Sequence, residues 1–185
     1  FRGFGWDVAI LKHGTLQQRA FAEPGGEALR DWIDRCPNQL YSALTFQGGA
    51  AFRRRLMDEI GDQGEVSALI DRRSDAELAR LMGNLGGHDP RALLEAFTAA
   101  RTHDRPTCFI AYTIKGHGLP LAGHKDNHAG LMTPAQIETL RAEMNVRPGH
   151  EWDPFEGLDL PEAELRDFLA AVPFNAAGRR RFHAP

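Results

Sequence analysis

Two short runs, Trp6–Leu11 and Cys108–Ile114, have the β-branched, aliphatic and aromatic make-up of strands, and each stops abruptly at a lysine followed closely by glycine. Both runs are nearly continuous in hydrophobicity. That pattern predicts parallel strands covered by helices on two faces, rather than an alternating antiparallel sheet. A helical pattern leads into the second run through a short connection, so the two strands read as neighbours in an α/β arrangement. Two parallel strands cannot by themselves form a stable central sheet. The fold class expected is therefore α/β, with a partial parallel sheet flanked by helices and its other strands supplied by sequence outside this chain or by a partner. The chain also opens on Phe1 rather than Met, with residues that already lead into a strand. A piece of a longer polypeptide is expected.

The helical segments carry clear punctuation. Gly25 to Asp34 places Leu29, Trp32 and Ile33 at helical spacing, and Pro37 ends it. Gln39 to Gly49 reads as irregular. Ala50 to Ile60 resumes a helix through Phe52, Leu56 and Ile60, with Arg53, Arg54 and Arg55 read as a solvated surface. Ser74 with Glu77, and Thr133 with Gln136, have the spacing of capping boxes. Asp89 before Pro90 predicts an N-cap and first helical residue, for a helix whose inner face would be Leu93, Leu94, Phe97 and Ala100. Beyond His150 the chain is proline-broken, apart from one amphipathic helix through Leu165, Phe168, Leu169 and Val172.

Charge and cysteine content narrow the function classes. A formal net charge of -3 offers no basic surface for nucleic acid. The single basic run, Arg179-Arg180-Arg181, reads as a solvated tail. Cys36 and Cys108 are far apart and lack C-x-x-C spacing, which argues for a reducing compartment and against a zinc framework. With neither an apolar run of membrane-spanning length nor a signal segment, a cytoplasmic protein is expected, without membrane or nucleic-acid partners.

The chemistry concentrates after the second strand. Lys115 follows it directly, then His117, a loop broken by Gly118, Pro120 and Gly123, and the polar cluster His124-Lys125-Asp126-Asn127-His128. Open α/β sheets place their ligand crevice just beyond the carboxyl ends of strands. An ammonium there suits a carboxylate or phosphate. Imidazoles at 117, 124 and 128 suit general acid or base work on a carbonyl substrate, and the glycines suit a lid. His124 and His128 lie four apart, as metal ligands on a helix would. Glycine and proline around them argue against a helix, and no metal ligand is assigned. His88 is read as a hydrogen bonder that locks a loop.

The run TIKGHG (Thr113 to Gly118), a glycine-rich loop and the pair Asn127-His128 together resemble the thiamine diphosphate-dependent transketolase superfamily. Within it the nearest likeness is to the homodimeric decarboxylating first component of pyruvate dehydrogenase complexes. GWDVAILKHG (Gly5 to Gly14), LTFQGGAAFRRRL (Leu44 to Leu56) and NLGGHDPRALLEAF (Asn84 to Phe97) are similar to that family's segments in the same order, and the tail after MNVRP resembles its interdomain linker. The resemblance implies that residues 1–147 are the carboxyl-terminal part of a thiamine diphosphate-binding domain and 148–185 a linker with one helix. It implies that Lys115 lies at the active centre by the cofactor and the substrate carboxylate. It implies that His128 belongs to a mobile loop aiding acyl transfer to a lipoyl-bearing acyltransferase component, with His117 as a further catalytic candidate. The complete protein would be a homodimeric oxidoreductase using thiamine diphosphate and magnesium to decarboxylate a 2-oxo acid, pyruvate foremost. The family's Gly-Asp-Gly metal motif does not occur in this chain. The isolated polypeptide is therefore expected neither to bind cofactor tightly nor to turn over substrate. Transketolase-type ketol transfer between sugar phosphates, and a non-catalytic assembly module derived from the same domain, are the alternatives.

Overall fold

The computed structural model describes residues 1–172 and Asn175; the basic run at 179–181 lies outside the described residues. Two compact units divide the chain, Phe1–Leu131 and Met132–Pro185.

The first unit is α/β. After a short 3-10 turn, strand β1 (Asp7–Leu11) is followed by six helices: α1 (Thr15–Phe21), α2 (Gly26–Arg35), α3 (Asn38–Gln47), α4 (Gly49–Ile60), α5 (Val66–Asp71) and α6 (Asp75–Gly83). A second 3-10 turn, Gly86–His88, leads into α7 (Pro90–Ala100) and strand β2 (Thr107–Ala111). The strands pair in parallel, with Asp7 opposite Thr107 and Leu11 opposite Ala111. The parallel neighbours expected from the sequence are thus present. Their burial is not as expected: Ile10 is 57% exposed and Ile110 42%, because no further strand or helix covers those faces among the described residues.

The dry core sits in the helices instead. Leu29, Ile33, Phe52, Leu56, Leu69, Ile70, Leu78 and Met82 are almost wholly withdrawn from water. Each comes from the apolar stripe of its own helix, at the three- and four-residue spacing that puts side chains on one face. Trp32, Tyr41 and Phe52 meet as an aromatic trio, with ring centroids 5.4 to 6.5 Å apart. The stretch expected to be irregular is the helix α3. Its pattern hid because Tyr41 and Leu44 are its only buried side chains, while Phe46 on the same helix is 44% exposed.

Caps hold the helices as their residues dictate. The Ser74–Glu77 box opens α6 and the Thr133–Gln136 box opens α8 (Pro134–Glu143). Arg53 departs from the solvated reading. Its guanidinium binds Asp75 at 2.7 Å and the carbonyls of Ile70 and Arg73, so it ties α4 to the turn between α5 and α6. The expected inner face of α7 is also corrected: only Ala92 is buried there, and Leu94 and Phe97 are 66% and 48% exposed.

Within the second unit are α8 and α9 (Glu162–Ala171), neither with a buried residue. Its firmest local tie is the bidentate pair of Arg147 with Glu156, at 2.7 and 2.9 Å, which pulls the Glu156 carboxyl down to about 2. Among the described residues no helix is long and apolar enough to cross a membrane.

Candidate functional site

The carboxyl ends of β1 and β2 lie side by side, and the Gly86-Gly87-His88 turn clasps both. Gly86 N–H donates to Lys12 O at 2.9 Å, just past β1, and Gly87 N–H donates to Tyr112 O at 2.9 Å, just past β2. His88 Nε2 accepts the Ile114 N–H at 2.6 Å. Glycine is required for so close an approach: a Cβ on Gly86 would stand 2.5 Å from Leu11 O, and one on Gly87 2.6 Å from Tyr112 O. The loop-locking role read for His88 is what the structure shows. Lys12 O, Tyr112 O and the Ile114 N–H, just past the strand ends, are thereby satisfied without another strand.

Asp89 anchors that turn from below. Its carboxylate accepts from the Thr15 amide and hydroxyl, both at 2.6 Å, from Asn84 Nδ2, and from the Arg91 and Ala92 amides at the start of α7. Burial alone would push this carboxyl up. The hydrogen bonds from Thr15, Ala92 and Asn84 outweigh it and hold the group well below the usual carboxylate range. The sequence showed Asp89 as an N-cap; the tie to Thr15, 74 residues away, it did not show.

A lysine follows each strand, Lys12 directly after β1 and Lys115 four residues past Ala111, where β2 ends earlier than the expected Ile114, and the two lysines differ. Lys12 Nζ lies 2.8 Å from Asp34 Oδ1, and Asp34 also stands 3.0 Å from His13 Nε2. Burial of Asp34 is outweighed by the Lys12 hydrogen bond, with His13 and Arg30 adding to it, so its carboxyl is held low. Lys12 is thus neutralised in place. Lys125 likewise contacts both oxygens of Asp126 at 3.0 Å. Lys115, the remaining one of three lysines, has no carboxylate within ion-pair distance among the described residues; its ammonium meets His128 Nδ1 at 3.1 Å.

Thirteen residues separate Lys115 from His128, and the intervening loop closes that distance by successive turns. Gly116, Gly118 and Gly123 all take positive φ, which side chains resist. Gly123 N–H and Asn127 Nδ2 both donate to Lys115 O, at 3.1 and 2.7 Å, and Asn127 Nδ2 also reaches Leu121 O. Asn127 therefore holds the loop shut while the adjacent His128 meets the lysine. The segment from His124 to His128 is turn, not helix, as its glycines and proline implied, so His124 and His128 do not share a helical face. His124 packs against Phe46 of α3, with ring centroids 4.4 Å apart and planes tilted by 57°. Among the described residues no three His, Cys, Asp or Glu side chains gather as a metal site.

A groove of about 730 Å³ opens between α3 and this loop, lined by Asn38, Ser42, Ala43 and Phe46 on one side and by Lys115, His124 and Lys125 on the other. Its floor is apolar and its loop wall cationic. The geometry can hold an anion at Lys115 beside an imidazole able to pass a proton. His117 does not join Lys115 and His128; its ring stacks on His88, with centroids 3.8 Å apart and planes 12° off parallel.

No protein-family model matches the chain. It is similar to the pyruvate dehydrogenase E1 component of Cupriavidus necator, 30% identical over 142 residues, which are 76% of this chain and 15% of that protein. The same component from Corynebacterium glutamicum is 31% identical over 141 residues, 76% of this chain and 14% of the relative. That of Escherichia coli K12 is 27% identical over 142 residues, 76% and 15%. The chain spans about a seventh of the length of the curated relatives it matches. The likeness read from the sequence is borne out, and its extent fits a segment of that enzyme.

Proposed function

We infer that this chain works as a segment of a pyruvate dehydrogenase E1-type enzyme, which oxidatively decarboxylates a 2-oxo acid and passes the acyl group to a lipoyl-bearing partner. The observation that carries this reading is the contact of Lys115 with His128 beyond the end of β2, on a groove, where the other two lysines are neutralised by carboxylates. Lys115 donates to the carboxylate of the 2-oxo acid. Lys115 is exposed on the groove, so its ammonium, unpaired with any carboxylate among the described residues, is open to an incoming anion. His128, accepting from Lys115 through Nδ1, has Nε2 left to hold or release a proton as the acyl group leaves. Ordering of the loop through Asn127 sets both groups at once.

Thiamine diphosphate, where bound, supplies the carbon nucleophile and electron sink for decarboxylation. The residues described here fit only the edge of such a site: one free cation suited to an anion, and no cluster able to hold magnesium. Grip on metal and diphosphate, and a second subunit, fall to the rest of a homodimeric enzyme.

Two measurements test the reading. In the whole enzyme, with pyruvate, thiamine diphosphate, magnesium and an artificial electron acceptor, Lys115→Ala should lower kcat/KM by about 100-fold or more, the usual cost of removing a preorganised donor. His128→Ala should impair transfer to a lipoyl domain more than reduction of the artificial acceptor. Unchanged turnover in Lys115→Ala, or preference for pentose phosphates over pyruvate, overturns it. The chain by itself should show no micromolar binding of thiamine diphosphate with magnesium in calorimetric titration.

A further inference from the structure

Four residues, Ile114 to His117, make the turn by which the chain leaves β2, closed by the His117 N–H donating to Ile114 O at 3.1 Å with Gly116 at φ +72. Lys115 sits inside that turn. His88 touches it at both ends: Nε2 accepts the Ile114 N–H at 2.6 Å, and the ring face lies on His117 at 3.8 Å. The side chain that orients the lysine is therefore 27 residues upstream of it in sequence. We propose that His88 is a positioning residue for Lys115, and that only its neutral ring, bearing its proton on Nδ1, can hold the turn in this shape. The lysine's role is that of the reading above; the positioning itself is structural and stands apart from it.

The chemistry is one-sided. An imidazole accepts at one nitrogen only while neutral, and the imidazolium donates at both. A proton on Nε2 would face the Ile114 N–H head-on, and a charge on His88 would face the stacked His117. Of the ionisable groups nearby, His117 is the one whose charge acts on His88, since Asp89 is turned away to Thr15, Asn84 and the α7 amides. Burial, and secondly His117, lower the His88 pKa below the ordinary histidine value. The folded state thus binds this proton less readily than the unfolded chain does. The contribution is complete above about pH 6.5 and is lost as pH falls through the lowered folded value.

The test is amide exchange and nitrogen NMR on the labelled chain between about pH 5 and 8, where imidazoles titrate. Variants are His88→Gln, which keeps an acceptor that does not titrate, and His88→Phe, which keeps a stacking ring without one. Ile114 in the unaltered chain should be protected at the alkaline end, and should lose about tenfold of that protection in step with the His88 nitrogen signals, as expected for one hydrogen bond. His88→Gln should flatten this pH profile. His88→Phe should lower Ile114 protection at every pH and shift the Lys115 and His128 signals. Wild-type protection in His88→Phe, or a pH profile in His88→Gln matching the unaltered chain, overturns the proposal. Should His88→Phe fail to fold, the His88→Gln profile alone decides. No cofactor or substrate enters these readings, so a negative result here and a negative turnover assay for Lys115 remain separate findings.

Discussion

The helices α1 to α6 and the layer of β1, β2 and α7 are equally rich in large apolar residues, yet they use them in opposite ways. In the helical cluster Leu29, Phe52, Leu56 and Leu69 are at or near zero exposure. In the sheet layer Ile10, Ile110, Leu94 and Phe97 are between 42% and 66% exposed. A helix can bury its stripe against any other helix that offers one. A parallel strand must be covered on both faces and paired at both edges. The helical cluster therefore completes itself within this chain, whereas the strands are complete only at their carboxyl ends, where the Gly86-Gly87-His88 turn closes on them. That closed end is also where Lys115 leaves the sheet.

The largest effect expected separates the two regions directly. Phe52→Ala should destabilise the chain by about 4 kcal/mol, as removal of a fully buried aromatic does. Leu94→Ala, on the exposed side of α7, should stay within about 0.5 kcal/mol of neutral. Urea denaturation followed by far-UV circular dichroism reads both. A comparable cost at Leu94 would show that the sheet layer has a dry core after all.

Somewhat less is expected from the residue that joins the two regions. Asp89→Ala leaves the Thr15 and α7 amides without their acceptor and should cost about 3 kcal/mol. Because the folded carboxyl is held low, its contribution is present above the unfolded value near about 4 and is lost as pH falls below it. Asp89→Asn should accordingly flatten the acid limb of a stability profile measured by thermal melts. An unchanged acid limb would remove Asp89 as the tie between α1 and α7.

The smallest pair sharpens the role of the clasp. Gly87→Ala drives a methyl to 2.6 Å from both Tyr112 O and Thr113 Cγ2 and should cost about 1 to 3 kcal/mol. Gly83→Ala, where nothing lies within 4 Å, should be neutral or gain a few tenths of a kcal/mol from reduced chain entropy. Equal effects at the two glycines would mean that the strand ends tolerate movement.

Legibility from sequence followed the range of the interaction. The capping boxes at Ser74 and Thr133, the Asp89-Pro90 helix start and the two strands are local patterns, and each is present. Expectations that depended on distant packing went astray. Leu94 has the right period for an inner face but is exposed, Phe97 meets Phe109 of β2 edge-on yet stays half uncovered, Arg53 binds a turn rather than water, and α3 hides its helix behind two buried residues. Lys115 and His128 were legible as candidates because both stand in one glycine-rich loop. Their contact, and the transfer of His117 to a stack on His88, were not, since neither follows from spacing.

By itself the sequence determined local features of this protein: the two strands, the caps, and a lysine shortly past the end of β2. Periodicity and turn chemistry act over a few residues, and proximity along the chain suffices to decide them. That Asp34 neutralises Lys12, that His128 meets Lys115, and that His88 grips the turn were decided by tertiary structure alone. Each depends on groups 13 to 26 residues apart being brought within about 4 Å of one another, and only the packed fold enforces such distances.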